Sequence, residues 1–99
     1  MQKNPFRTGR VHTILHQAIA HFLREHANAE PFITISYIDL NKAGTTVTVY
    51  CSVFPKEQQE QALAFLKRKE SVCREYLKKH TALRIAPTVR FTLAKEILP

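Results

Sequence analysis

The sequence predicts an α+β fold, a three-stranded sheet packed against helices in the order α-β-β-α-α-β. Three observations predict it. An unbroken apolar stripe of helical period opens the chain. Two β-branched runs separated by a turn follow it. A second helical stretch then leads into a last alternating strand. The 99 residues, 44% of them apolar, amount to one small domain spanning residues 1–99, with enough apolar volume for a core.

Residues 1–7 read as a polar tail carrying Lys3 and Arg7, and Thr8 as the cap of the first helix. Val11, Ile14, Leu15, Ala18, Ile19, Phe22 and Leu23 recur at the spacing of one helix face. The helix ends near residues 27–29, because Pro31 disfavours helical geometry just before it. Residues 32–40, FITISYIDL, are β-branched and aromatic, which makes them a strand. Asn41-Lys42-Ala43-Gly44 is turn material. Residues 45–54 then alternate: Val47, Val49, Cys51 and Val53 face one way, Thr46, Thr48, Tyr50 and Ser52 the other. Pro55 stops that strand, and Glu57 and Glu60 suit the first turn of a helix. Ala62, Leu63, Leu66, Cys73, Tyr76 and Leu77 keep a helical period over residues 56–81. No apolar residue appears from Lys67 to Ser71, so the stretch is two helices or one kinked helix, jointed near residues 69–71. Pro87 precedes a last strand, residues 88–93, with Val89, Phe91 and Leu93 inward and Arg90 and Thr92 outward.

Charge is the strongest compositional signal. Fifteen Lys and Arg against eight Asp and Glu give +7 and a pI near 9.8, the footprint of a nucleic-acid-binding domain. Ordinary apolar content and the absence of low-complexity tracts argue against disorder. No apolar run approaches the ~20 residues of a membrane span. Residues 1–10 lack the apolar core of a secretory signal, and two cysteines are too few for a disulfide scaffold, so the cytoplasm is expected.

The charge is also local. Lys67, Arg68, Lys69, Arg74, Lys78, Lys79, Arg84 and Arg90 face only Glu70 and Glu75 within the same quarter of the chain, a local net of +6. On a nearly continuous helix Lys67, Arg74 and Lys78 would stack into one basic ridge. Glu75 and Lys79 would form an i,i+4 pair, which makes Lys79 a weaker ligand. Each lysine alone reads as a solvated helix face; the uncompensated group points to phosphates. Tyr50 and Tyr37 are the candidates for base stacking, and each also reads as an ordinary strand residue. Recognition of backbone and shape is therefore favoured over base-by-base readout.

Catalytic patterns are thin. His12 and His16 stand at i,i+4, but no Glu makes an HExxH motif and no third ligand is evident, so they and His26 read as exposed helix residues. Cys51 and Cys73 read as small core hydrophobes. Asp39 is the one Asp, and Gly9 and Gly44 are the two glycines, so a glycine-rich phosphate loop is excluded.

Three segments resemble one family. RTGRVHTILHQAIAHFL (7–23) resembles the opening helix of bacterial ribosome-binding factor A. IDLNKAG and VTVYCSVFP, within residues 38–55, resemble that family's first strand, turn and second strand. LKKHTALRIAPTVRF (77–91) resembles its L-R-x-x-P-x-L-x-F close. The resemblance covers almost the whole chain. It implies a KH-like fold of type II topology without the GxxG loop. It also implies a non-enzymatic assembly factor that binds the small ribosomal subunit and its 16S rRNA and assists late maturation and 16S rRNA processing. Members usually carry Ala-x-Gly at the joint of the second and third helices; here the matching residues are Lys69-Glu70-Ser71. A second departure is the end at Pro99, where many members continue into a tail. The resemblance and the charge map single out Lys67, Arg68 and Lys69, extended by Arg74, Lys78, Arg84 and Arg90, with Arg7 and Arg10 as a second contact. The expected protein is a monomer with no cofactor, no metal and no membrane contact. A KH-like module for a non-ribosomal RNA, or an interaction domain for an acidic protein, are the alternatives the residues leave open.

Overall fold

The computed structural model describes residues 5–27 and 31–94, with side chains from residue 9 onward. The first helix, α1, covers Pro5–His26. It begins before Thr8, which therefore lies inside the helix and is not its cap. Pro5 explains the earlier start: its fixed φ suits the first helical position, where its missing N–H has no intrahelical partner to lose. Arg24 and His26 in the last turn complement the negative end of the helix dipole.

Strands β1 (Phe32–Leu40) and β2 (Thr46–Phe54) pair antiparallel, from Phe32↔Phe54 to Leu40↔Val47. The turn between them is built by Asn41. Its Oδ1 accepts the Thr45 and Thr46 N–H groups at 2.8 and 3.0 Å, and Gly44 takes a φ of 73°, a conformation that costs a side-chain-bearing residue ~1–2 kcal/mol. The register shifts between Ile35 and Tyr37. That bulge inserts one residue, so Ile33 and Ile35 before it and Ile38 and Leu40 after it all pack toward the core. A strictly alternating strand would have turned one pair to solvent.

A short 3-10 turn (Lys56–Gln58) leads into α2 (Gln59–Arg68) and α3 (Glu70–His80). Strand β3 (Thr88–Leu93) then runs parallel to β2, so the order is β1-β2-β3 with β2 central. This is the expected order, α-β-β-α-α-β.

The core lies between one sheet face and the helices. Leu15, Ile19 and Phe22 of α1, Leu66 of α2 and Cys73 and Leu77 of α3 meet Val47, Val49, Cys51, Val89 and Phe91 of the sheet. Contacts fix the helix directions. His12 near the start of α1 donates from Nε2 to the Ile38 carbonyl at 3.3 Å, while Leu23 and Ala27 share a groove with Phe32–Ile35, so α1 runs antiparallel to β1. Arg74 Nε donates to the Ala86 carbonyl at 3.2 Å and Glu70 bonds Phe91, so α3 runs antiparallel to β3. Among the described residues no helix lies over the far sheet face: Thr34, Ser36, Tyr37, Asp39, Ser52 and Arg90 are exposed there.

Candidate nucleic-acid interface

The α2–α3 joint is a single residue. Lys69 has φ −96° and ψ 2°, its N–H donates to the Leu66 carbonyl at 3.0 Å, and its own carbonyl accepts from Cys73 N–H at 2.8 Å. It thus closes one helix and starts the next. A negative φ is open to any L residue, so the bend needs no glycine. Ser71, where the resemblance leads one to expect glycine, lies within α3 and needs no unusual backbone freedom.

Lys67 and Arg68 are exposed in the last turn of α2. The negative end of the α2 dipole offsets part of the cost of crowding cations there. Lys69 is half-buried, with its ammonium 5.7 Å from the Phe65 ring centroid. Glu70 follows immediately and turns inward. Its Oε2 accepts the Phe91 N–H at 2.8 Å. Phe91 belongs to the outer edge of β3, so this bond ties the basic joint to the free edge of the sheet. A bond to a charged acceptor is worth about 1.5–3 kcal/mol. In the sequence Glu70 stands between three cations and a serine, and that placement is the one local sign of its inward turn.

The break at Lys69 overturns the single basic ridge. Lys67 belongs to α2, Arg74 and Lys78 to α3, and no continuous helix lines them up. The expected Glu75–Lys79 pair is corrected too: Glu75 pairs with Lys78, at 3.0 Å. Three residues apart on a helix is as near as four, and Lys78 took the partner. Arg74 is half-buried and holds the Ala86 carbonyl, which anchors the loop before β3. Lys78 and Arg74 thus carry local structural roles that lone surface cations lack.

The helix directions divide the candidates between two places. Lys67, Arg68 and Lys69 sit beside the middle of β3, at the level of Phe91. Arg10, at the start of α1, Lys78, at the end of α3, and exposed Arg84, in the loop before β3, gather at the end of the molecule that carries the β1–β2 turn. Arg90 is exposed on the open face of the sheet, opposite Thr48. Arg7 lies on α1, but its side chain falls outside the described residues.

The two thiols are turned to the core, while His26 and His80 are exposed. Burial pushes both the Cys51 and the Cys73 thiol up to about 12, which leaves almost no thiolate near neutrality. His26 stacks on Phe22 and His80 on Tyr76, with centroids 4.3 and 4.1 Å apart. Among the described residues no three His, Cys, Asp or Glu side chains cluster as metal ligands, and no helix is long and apolar enough to cross a membrane.

Comparison with known proteins agrees with this architecture. The crystal structure of ribosome-binding factor A from Thermus thermophilus is similar with a TM-score of 0.74 and 24% identity, covering 86% of this chain and 93% of that one. The solution structure of a Thermotoga maritima protein gives 0.77 and 22%, covering 98% and 95%. At these identities both speak for the fold. A Thermus thermophilus ribosome-binding factor A homology model, fitted into the cryo-EM map of a 30S–RbfA complex, gives 0.72 and 26%, covering 84% and 90%. Ribosome-binding factor A of Coprothermobacter proteolyticus is 30% identical over 95 residues, 94% of this chain and 69% of the relative. The family pattern of ribosome-binding factor A matches residues 7–98. The chain therefore belongs to the ribosome-binding factor A family.

Proposed function

We propose that this protein is a non-enzymatic assembly factor that binds the small ribosomal subunit through 16S rRNA and assists late maturation and 16S rRNA processing. The observation that carries this reading is the Lys67-Arg68-Lys69 joint, held against the β3 edge by Glu70 in a chain of this family. The likeness to a relative fitted into a 30S complex supports the choice of partner. Lys67, Arg68 and Lys69 neutralise rRNA phosphates and release counterions. Arg10, Lys78, Arg84 and Arg90, with Arg7 and Arg74, supply further contacts at the second end and across β3. Binding one folded state of the rRNA more tightly than its competitors shifts the subunit toward that state, with no chemical step. The reading includes action as a cytoplasmic monomer, without cofactor or membrane contact.

The test is co-sedimentation with purified small and large subunits over a salt series. The expected result is binding to the small subunit alone, weakening steeply as salt rises. Charge reversal of Lys67, Arg68 and Lys69 to Glu should lower affinity by at least about 100-fold and flatten the salt slope by roughly 2 to 3. A folded triple variant that bound normally would remove the joint from the site. Tight binding to short RNAs with none to either subunit would replace the ribosomal partner with another RNA.

A further inference from the structure

We propose that the open face of the sheet is a second RNA surface, on which unpaired nucleotides stack against the Tyr37–Tyr50 pair. This rests on the RNA-binding reading above, and concerns a different surface and a different chemistry.

Tyr37 and Tyr50 face each other across β1 and β2, with ring centroids 4.3 Å apart and planes 14° from parallel. Tyr37 is 52% exposed, so its ring keeps one face for a ligand. Phe32 and Phe54 are opposite one another on the same side of the sheet, 58% and 70% exposed. Among the described residues these are the three exposed aromatics, and all stand on the uncovered face. A cross-strand Tyr pair stabilises a hairpin on its own account. Phe32 and Phe54 repeat such a pair at the far end of the same hairpin, so the face leaves two aromatic pairs open to water. Their concentration on one face marks an interaction surface.

The polar groups between the rings favour RNA as the occupant. Ser36 and Ser52 hydroxyls meet at 2.7 Å, and Thr48 and Thr92 flank Tyr50 along β2 and β3. Such a face offers hydrogen bonds to sugars and base edges beside the rings. Arg90 stands diagonally from Tyr50, about 7–8 Å away across the strand pair, placed for the phosphate of a stacked nucleotide. Asp39 in the same row cancels that charge locally, so attraction must come from nearby. The basic joint supplies it: Glu70 fastens the joint to β3, the strand that presents Arg90 on the open face. A strand held at the joint reaches the tyrosines by crossing β3. Aromatic side chains on a sheet that stack bases while cations track the backbone are a recurring solution for single strands.

The chain contains three tyrosines, and Tyr76 is buried, so tyrosine ring resonances report this face directly. The full chain, labelled at tyrosine, is titrated with short single-stranded oligo(rA) and oligo(rU), and with an RNA duplex as control. The expected result is an upfield shift of the Tyr37 and Tyr50 rings with single strands, little movement with the duplex, and none for Tyr76. Tyr37→Leu should weaken oligonucleotide binding about tenfold without changing its salt slope, and Tyr37→Phe should keep it. Rings that stay still while the wild-type chain binds the oligonucleotide overturn the proposal and leave the basic joint standing. Rings that move with protein concentration, but not with oligonucleotides, also overturn it, in favour of a second copy of this chain. Ring shifts with oligonucleotides but no subunit binding would keep this surface and reject the ribosomal reading.

Discussion

At the α2–α3 joint three consecutive cations stand at a helix end, with Glu70 bonded to the sheet edge between them and the core. Across β3, the open sheet face carries aromatic rings, hydroxyls and a single arginine balanced by Asp39. The two regions touch the same strand from opposite sides. The difference separates two kinds of recognition. Clustered charge binds any polyanion, strongly and with steep salt dependence. Stacked rings select for bases that are free to unstack, and respond little to salt. Together they would favour RNA that is phosphate-dense and locally unpaired, the description of an unfinished folding state.

The charge reversal at Lys67, Arg68 and Lys69 makes the largest break in this comparison. If the joint supplies affinity and the open face selectivity, it costs at least about 100-fold in subunit binding, and circular dichroism stays that of the parent. Glu70→Ala comes next. It leaves the Phe91 N–H without its partner, so thermal unfolding should reveal a loss of about 1–3 kcal/mol. Subunit affinity should fall a few-fold because the joint loosens, while the Tyr37 and Tyr50 resonances stay in place. Movement of those resonances would mean that the two regions are mechanically coupled through β3. Arg90→Ala sharpens the comparison from the other side. Affinity should fall a few-fold and the salt slope by about 0.7, one phosphate's worth, on the single-stranded oligonucleotides. An unchanged slope would detach Arg90 from both surfaces. Gly44→Ala is the smallest effect. At φ 73° a side chain costs about 1 kcal/mol of stability. Affinity for oligonucleotides should hold, since the turn belongs to neither the joint nor the open face.

Much of this is legible locally. The stripe from Val11 to Leu23 and the alternation from Val47 to Val53 reflect the 3.6 and 2.0 periods of single elements, and both appear in the buried core. The joint is legible because Lys67 to Ser71 lack an apolar residue, and the structure bends at Lys69. Local pattern places the start of α1 too late, because Thr8 looks like a cap and outweighs Pro5 as a first helical residue. The β1 bulge is hidden for a different reason. FITISYIDL contains two inward pairs of opposite parity, and only pairing with β2 shows that the strand inserts a residue to bury both. The partners of Arg74, Glu70 and Lys78 are likewise invisible to local reasoning. Two of those bonds span 12 and 21 residues, and the third depends on which of two adjacent lysines turns toward Glu75.

The sequence by itself determined the element order, the inward face of the hairpin's second strand, the place of the joint and the sign and location of the charge. These follow from side-chain period, turn chemistry and composition, which act over a few residues. Tertiary structure alone decided that the basic residues divide between two ends, that Glu70 moors the joint to β3, and that the exposed aromatics share one uncovered sheet face. Those facts depend on strand register and helix direction. Both are set by the packing of segments far apart in the chain around one core, which no local pattern encodes.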